Sequence, residues 1–215
     1  MQNYIMMLFV ACLASLISVV NPIGAVPVFL ALTPDHTARE RNVTARLTSL
    51  YFALILTAFF LGGAYILSFF GISINAIRIA GGLVILSSGY SLLNGKFSQS
   101  RAINDKVKKE ALEKEDISFA PMAMPMLSGP GSISLLIGYY AEYEEWSTRM
   151  VIMGVIMATA LLIYVVLRAS PYLFKLLGYA GLKAISRIMG FIVMAIGIQY
   201  IITGVVSLVN SLINV

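Results

Sequence analysis

Charged residues are scarce in this sequence. Asp, Glu, Lys and Arg make up 12% of its 215 residues, whereas 59% are hydrophobic, and the mean hydropathy is +0.88. Because soluble domains carry about 25% charged residues, this composition predicts an integral membrane protein. At about 20 residues per membrane-spanning helix, the chain accommodates six spans with short connections and leaves no room for a separate soluble domain.

Residues that perform chemistry inside a membrane are also lacking. Cys12 is the one cysteine, which excludes an internal disulfide, and His36, the one histidine, falls in a predicted loop. No Asp, Glu, His or Lys lies well inside a predicted span, and such groups at depth usually mark proton relays or ion paths. A serine nucleophile such as Ser128 would lack a nearby base. We therefore expect no enzymatic activity, no catalytic residue, no metal site and no cofactor.

The first long apolar run, residues 6–33, is interrupted at its centre by Asn21, Pro22, Ile23 and Gly24. Proline has no N–H and clashes with the carbonyl four residues back, and the residue before it is pushed out of the helical region. A membrane helix is therefore predicted to break here. Since unpaired backbone groups are costly in hydrocarbon, such a break must be buried in protein or line a wet cavity.

A second uncharged run, about half a chain later, is interrupted in the same way. Its interruption consists of five small or cyclic residues: Ser128, Gly129, Pro130, Gly131 and Ser132. Two apolar segments broken by Gly and Pro at matching places in two halves point to a transporter binding site. The nine residues of the two interruptions are therefore the predicted substrate-binding residues. The alternative is that Pro and Gly, which are frequent in membrane helices, only kink the helices or permit tight packing.

The sequence thus predicts an all-α membrane protein with six transmembrane helices, of which helices 1 and 4 are discontinuous. The predicted spans are about residues 5–32, 45–70, 74–93, 117–140, 148–167 and 184–208. In the third span, the run Ala80-Gly81-Gly82 would allow close contact with another helix.

Basic residues predict the topology. Thirteen of the fifteen Lys and Arg residues fall in the connections after spans 1, 3 and 5, and the other two, Arg78 and Arg149, follow spans 2 and 4. Because basic loops stay in the cytoplasm, we expect those three connections on the cytoplasmic side of the plasma or inner membrane. Both termini should then lie on the outer side. The charged central loop, residues 96–116, would be cytoplasmic and would separate two three-helix repeats, residues 1–95 and 117–215.

The two halves share landmarks that predict an inverted 3+3 repeat. Four landmark residues recur about 108 positions apart: Pro22 with Pro130, Tyr65 with Tyr172, Gly71 with Gly178, and Arg78 with Arg187. With three spans each, the halves enter the membrane from opposite sides, as in many secondary transporters. The alternative is that apolar sequences match by chance. Arg78 and Arg187 are either span-edge residues whose heads reach the interface or gate contacts to a helix end or a carboxylate.

A broken helix exposes both kinds of backbone end. The start of its second half has free N–H groups and partial positive charge, and the end of its first half has free carbonyls and partial negative charge. Two breaks near the midplane would suit a zwitterion, with its carboxylate at a helix start and its ammonium at exposed carbonyls. Asn21, Ser128 and Ser132 supply neutral donors and acceptors, and the glycines let a small ligand approach the backbone.

Both interruptions resemble signatures of the MarC family of bacterial and archaeal membrane proteins. Residues 21–29, NPIGAVPVF, resemble the first signature, and residues 121–125, PMAMP, with residues 128–131, SGPG, resemble the second. The resemblance covers essentially the whole chain, including its length, six spans and long central loop. That family is grouped with amino-acid exporters of the LysE type, and some members transport glycine and alanine. The resemblance therefore implies a similar substrate here.

We therefore expect a secondary transporter of small neutral amino acids that works by alternating access. Backbone groups of Ile23, Gly24, Gly129 and Gly131 would contact the substrate at the midplane. The expected partners are this substrate and the lipid bilayer, with no nucleic acid, and assembly into a homo-oligomer is left open. Two other interpretations stay open: an exporter or channel for other small solutes, and a non-transporting scaffold that assembles through glycine faces.

Overall fold

The computed structural model describes residues 2–94 and 117–213, and all regular structure within them is helical. In chain order the elements are α1 (Gln2–Val20), α2 (Pro22–Leu32), α3 (Ala38–Phe69), α4 (Ile74–Leu93), a π-helical segment (Ser118–Leu127), α5 (Pro130–Glu142), α6 (Trp146–Arg168) and α7 (Ser170–Ile213). The all-α prediction is confirmed for these residues. The predicted loop at residues 96–116 lies outside them.

Most of these helices are long and apolar enough to cross a membrane. The five stretches that qualify alone are Asn3–Leu32, Ala38–Phe69, Ile74–Leu93, Trp146–Arg168 and Ser170–Ile213. A sixth candidate results when Ser118–Leu127 and Pro130–Glu142, which meet at a bend of 64°, are counted as one span. By length and composition the described residues therefore supply five or six membrane-spanning helices, and the predicted six is the higher of these numbers.

Local capping signals set the ends of the long helices. Thr37 and Glu40 form a capping box, in which side chains and N–H groups satisfy each other, so α3 begins at Ala38 rather than near residue 45 as predicted. At the start of α4 the Ala76 N–H donates to the Ser73 hydroxyl (3.1 Å). The bounds of α4 are those predicted for the third span.

The last helix extends further than predicted and is bent. α7 runs from Ser170 to Ile213, but Gly178 has φ 62° and ψ 179°. Such a positive φ is accessible to glycine without steric cost. The connection predicted before the sixth span is therefore a short helical arm, and the span itself follows the bend.

α4 and α7 pack through facing glycines. A Cβ added to Gly82 would lie 2.7 Å from the Gly197 carbonyl oxygen, and a Cβ added to Gly89 would lie 2.7 Å from that of Gly190. The reversed order of these pairs means that the two helices run antiparallel. Because only glycine permits such backbone approach, the close contact predicted for residues 80–82 is confirmed at Gly82.

The helices enclose an apolar core. Its largest fully buried side chains come from α1 to α5 and the π-helical segment, and include Leu16, Phe29, Phe52, Phe60, Ile85, Met122 and Leu135. Both interruptions predicted from the sequence fall between elements that contribute to this core, and most of their residues are buried.

Candidate functional site

The first interruption is a single residue. Asn21 separates α1 from α2 and has left-handed backbone angles, φ 49° and ψ 65°. Pro22 disfavours the right-handed helical conformation for the residue before it, and asparagine is among the few non-glycine residues that adopt the left-handed region readily. The Gly24 N–H donates to the Asn21 Oδ1 (3.3 Å). Asn21 therefore ends one helix and caps the next.

This break leaves polar groups of α1 available. The Asn21 N–H still donates to the Ile17 carbonyl (2.8 Å), but Pro22 has no N–H with which to reach the Ser18 carbonyl one position later. The side chain of Asn21 is only 1% exposed, and its Nδ2 has no hydrogen-bond partner among the described residues. The end of α1 thus combines carbonyl acceptors, the partial negative charge of a helix C-terminus and one unpaired amide donor.

The second interruption lies at Ser128 and Gly129, between the π-helical segment and α5. The Ser128 N–H donates to the Ala123 carbonyl (2.8 Å), and the Ser132 hydroxyl donates back to the Leu127 carbonyl (3.3 Å). The Ser128 side chain is fully buried, yet its hydroxyl has no partner in the described part of the chain. A buried unpaired hydroxyl costs about 1–3 kcal/mol, so a ligand that binds it would recover that free energy.

The start of α5 is uncapped. Its N-cap residue is Gly129, no side chain makes a cap hydrogen bond there, and Pro130 occupies the first helical position. The N–H groups of Gly131 and Ser132 follow in the first turn, where an α-helix has no internal acceptors for them. With the partial positive charge of the helix start, these N–H groups are donors of the kind that bind carboxylates at other helix starts.

The two interruptions meet inside the protein. A Cβ added to Gly131 would lie 3.5 Å from the Val19 Cγ1 and 3.2 Å from the Ile85 Cγ1. Val19 belongs to the last turn of α1, so the first turn of α5 packs against the last turn of α1. Ile85 of α4 also lies against Gly131.

The nine predicted substrate-binding residues differ in burial and in hydrogen bonding. Asn21, Ser128 and Gly131 are buried, and Asn21 and Ser128 each have a polar side-chain atom with no partner among the described residues. Ile23 and Gly24 lie within α2 rather than in an extended break, and the Gly24 N–H is already bonded. The other members are placed as follows: Pro22, Gly129 and Ser132 are buried, whereas Pro130 is exposed.

Two residues of this region have no distinguishing sequence signal. Val19 and Ile85 bound the space beside Gly131, but both are ordinary apolar residues within long apolar runs. Their role follows only from the packing of α1, α4 and α5 against one another, so no motif could have indicated them.

An ion pair fixes the far end of α5. The Arg78 Nη2 lies 3.1 Å from the Glu142 Oε2, and the two side chains are 11% and 43% exposed. Arg78 is in the first turns of α4 and Glu142 is the last residue of α5. This is the carboxylate contact that one of the two interpretations of Arg78 anticipated. The Tyr200 hydroxyl of α7 also lies 3.1 Å from the Leu135 carbonyl and so tethers α5 nearer its start.

Comparison with known proteins identifies the family to which this chain belongs. Residues 6–209 match the profile described as "MarC family integral membrane protein". The chain belongs to the MarC family. Its relatives include an Escherichia coli protein named UPF0056 membrane protein YhcE, 36% identical over 199 residues, which span 93% of this chain and 92% of that one. No solved structure matches the chain.

Two further MarC relatives extend this similarity. A UPF0056 membrane protein of Methanocaldococcus jannaschii is 35% identical over 92% of this chain and 95% of its own. A Salmonella typhimurium protein named UPF0056 inner membrane protein MarC is 33% identical over 93% of this chain and 94% of its own. The chain is therefore an integral membrane protein of nearly the same extent as these relatives. Their names specify no substrate.

Proposed function

We propose that this MarC protein is a secondary transporter of small neutral amino acids that binds its substrate between the two helix breaks. The observation that carries the proposal is the contact between the uncapped start of α5 and the end of α1, marked by the approach of Gly131 to Val19. Opposite partial charges lie side by side there, in a buried place that contains no ionised side chain from either interruption. That arrangement favours a small molecule carrying both charges.

In the proposed complex the substrate is oriented by backbone groups. Its carboxylate accepts from the N–H groups of Gly131 and Ser132, and its ammonium donates to the last carbonyls of α1 near Ser18. The unpaired Asn21 amide and Ser128 hydroxyl complete the polar contacts. Ile85, 3.2 Å from the Cβ position of Gly131, limits the substrate side chain, which is why glycine and alanine are the proposed size class.

We further propose that α1 with α2, and the π-helical segment with α5, are the discontinuous helices 1 and 4 of an inverted 3+3 repeat. Gly71 and Gly178 support the repeat, because both have positive φ, +66° and +62°, at positions 107 apart. The glycine contacts support it too. Gly82 and Gly190 are 108 positions apart, and so are Gly89 and Gly197. Exchanging each glycine for its counterpart therefore turns the Gly82–Gly197 contact into the Gly89–Gly190 contact.

An asymmetry between the two ends of the protein supports alternating access. Asn21 and Ser128 are both buried, so in the proposed mechanism helices move to admit the substrate. At one end Arg78 and Glu142 are paired, whereas Arg187, the matching basic residue of the other half, is exposed and has no ion pair within the described ranges. We propose that the Arg78–Glu142 pair opens when α5 moves away from α4.

The two other interpretations are less well supported. A scaffold that assembles through glycine faces requires those faces to be free, but Gly82, Gly89, Gly190 and Gly197 are occupied by the α4–α7 contact within one chain. An exporter or channel for other solutes would not need helix ends of opposite sign at a buried site.

The direct test is labelled glycine uptake into proteoliposomes by Gly131→Val and Gly62→Val variants. A valine at residue 131 extends toward Ile85 and Val19, whereas a Cβ at Gly62 meets nothing within 4 Å. We expect uptake by Gly131→Val to fall to the level of empty liposomes and uptake by Gly62→Val to match the unmodified protein. Monodisperse elution of both variants excludes misfolding. Normal uptake by Gly131→Val would refute the proposed site.

A further inference from the structure

A groove between α3 and α6 is separate from the helix breaks. Its cavity of about 500 Å³ has small buried residues on its floor, among them Ser49, Ala53 and Ala160. The Ser49 hydroxyl donates to the Ala160 carbonyl, which holds the two helices together beneath the groove. The small side chains leave a depression where a larger residue would have filled the space.

The groove has apolar walls beyond a polar end. Leu50, Met157 and Leu161 line it and are 51%, 61% and 63% exposed, so they lie on the protein surface. From Asn42 to Ala53 along α3 the groove extends roughly 16 Å at about 1.5 Å per residue, of which about 10 Å lies beyond Arg46. That apolar part takes the upper portion of an acyl chain, since one leaflet is about half of the ~30 Å hydrocarbon core.

The groove ends at a cluster of arginines. Arg46 lines the groove itself, and Arg39 and Arg168 line an adjoining cavity of about 380 Å³. Asn42 belongs to both cavities and accepts from the Tyr164 hydroxyl (3.0 Å). The Arg168 Nη1 donates to the same hydroxyl (3.2 Å). The two cavities therefore adjoin at Asn42.

This positive charge is uncompensated by the described residues. Arg39, Arg46 and Arg168 are exposed, none is in the ion pair found in the described ranges, and neither cavity is lined by a carboxylate. Arg41 of the adjoining cavity is different, because its guanidinium donates to the Thr33 carbonyl (2.8 Å). Arginine presents a planar fork of donors that matches phosphate oxygens.

We propose that this groove binds one anionic phospholipid, with an acyl chain on the floor between α3 and α6 and the phosphate at Arg46, Arg168 and Arg39. Basic pockets between membrane helices are suited to anionic headgroups, and the apolar groove beside this one distinguishes a lipid from a free phosphate. A zwitterionic headgroup carries a positive group of its own, which the arginines would repel. It should therefore bind more weakly than an anionic headgroup.

The test is native mass spectrometry of the purified chain with phosphatidylglycerol, phosphatidylcholine and glycerol 3-phosphate. We expect phosphatidylglycerol to bind most tightly, and we expect Arg46→Gln and Arg168→Gln to weaken it about fivefold each, the effect of one basic residue near a membrane surface. Arg187→Gln, which removes an exposed arginine outside the groove, should change nothing. Equal binding of the two lipids, or equally tight binding of glycerol 3-phosphate, would overturn the proposal.

A second pair of variants tests the acyl chain. Ala53→Leu fills the floor of the groove, whereas Leu54→Phe adds volume at an exposed α3 position outside it. We expect Ala53→Leu to weaken phosphatidylglycerol binding severalfold and Leu54→Phe to leave it unchanged. Unaltered binding by a correctly folded Ala53→Leu protein would show that the lipid lies elsewhere. If Ala53→Leu fails to fold, the exposed arginine variants still decide the question.

Discussion

The two helix breaks differ in whether a side chain caps the first N–H groups of the helix that follows. At the first break the Asn21 side chain accepts from the Gly24 N–H (3.3 Å). At the second break Gly129 has no side chain, and α5 begins without a cap. Because a side-chain cap satisfies one of the donors that a helix start leaves unpaired, we propose that the start of α5 attracts an anion more strongly than the start of α2. The two breaks contain matching prolines, yet the partial positive charge of the following helix start is capped at the first break and uncapped at the second.

The segments before the breaks differ as well. α1 is a regular helix to Val20, so its peptide dipoles align and its last carbonyls carry partial negative charge. The π-helical segment contains Ala120 at φ −125°, ψ 124° and Met124 at φ −130°, ψ 129°, so its dipoles do not align. We infer that α1 supplies the cation end of the site and α5 the anion end, which gives the substrate one orientation.

The largest effect is expected from giving the second break the cap that the first has. In Gly129→Asp the new carboxylate would bond the N–H groups of Gly131 and Ser132 and displace the substrate carboxylate. Since a hydrogen bond to a charged group contributes about 1.5–3 kcal/mol, we expect glycine affinity to fall by roughly 10- to 100-fold without loss of thermal stability. Binding is measured by isothermal titration in detergent. Gly129→Ala is the control, and an equal loss there would mean that size, not capping, matters.

A smaller effect is expected from removing the cap of the first break. Asn21→Ala loses the bond to the Gly24 N–H, about 1 kcal/mol, and forces alanine into the left-handed region, about 1 kcal/mol more. Asn21→Gly loses only a few tenths of a kcal/mol at such a position. We expect the free energy of unfolding, measured by titration with SDS, to fall by about 2 kcal/mol for alanine and much less for glycine. Equal losses would show that the left-handed angle is unimportant.

The smallest effect on stability is expected at the far end of α5. A double-mutant cycle with Arg78→Gln and Glu142→Gln should give a coupling free energy below about 1 kcal/mol, because Glu142 is 43% exposed and water screens the pair. Transport should respond more, since the pair is the proposed gate. Faster glycine exchange in the single variants would support a gate, and an unchanged rate would leave Arg78 a span-edge residue.

Local chemistry made the position of both breaks predictable. Pro22 and Pro130 act on their immediate neighbours, so the interruption of each helix could be inferred without knowledge of the fold. The extended angles of Ala120 and Met124 also had a local signal, since each precedes a proline, but the prediction placed the break only at residues 128–132. The early start of α3 was equally readable from Thr37 and Glu40, which form its capping box.

Tertiary packing determined what the sequence could not predict. The pairing of Arg78 with Glu142 joins residues 64 positions apart, and either residue alone is an ordinary charge at a helix end. The unpaired state of the Ser128 hydroxyl and the approach of Gly131 to Ile85 depend on which helices become neighbours. Sequence patterns locate a candidate site, whereas its open hydrogen-bonding groups are known only from the folded chain.

The most direct test of the dipolar site is a counterflow experiment with labelled glycine in proteoliposomes. Unlabelled glycine, glycinamide and acetate are compared as internal exchange partners. We expect glycine alone to drive exchange, because glycinamide has no carboxylate for the start of α5 and acetate has no ammonium for the end of α1. Exchange driven by glycinamide as fast as by glycine would contradict it.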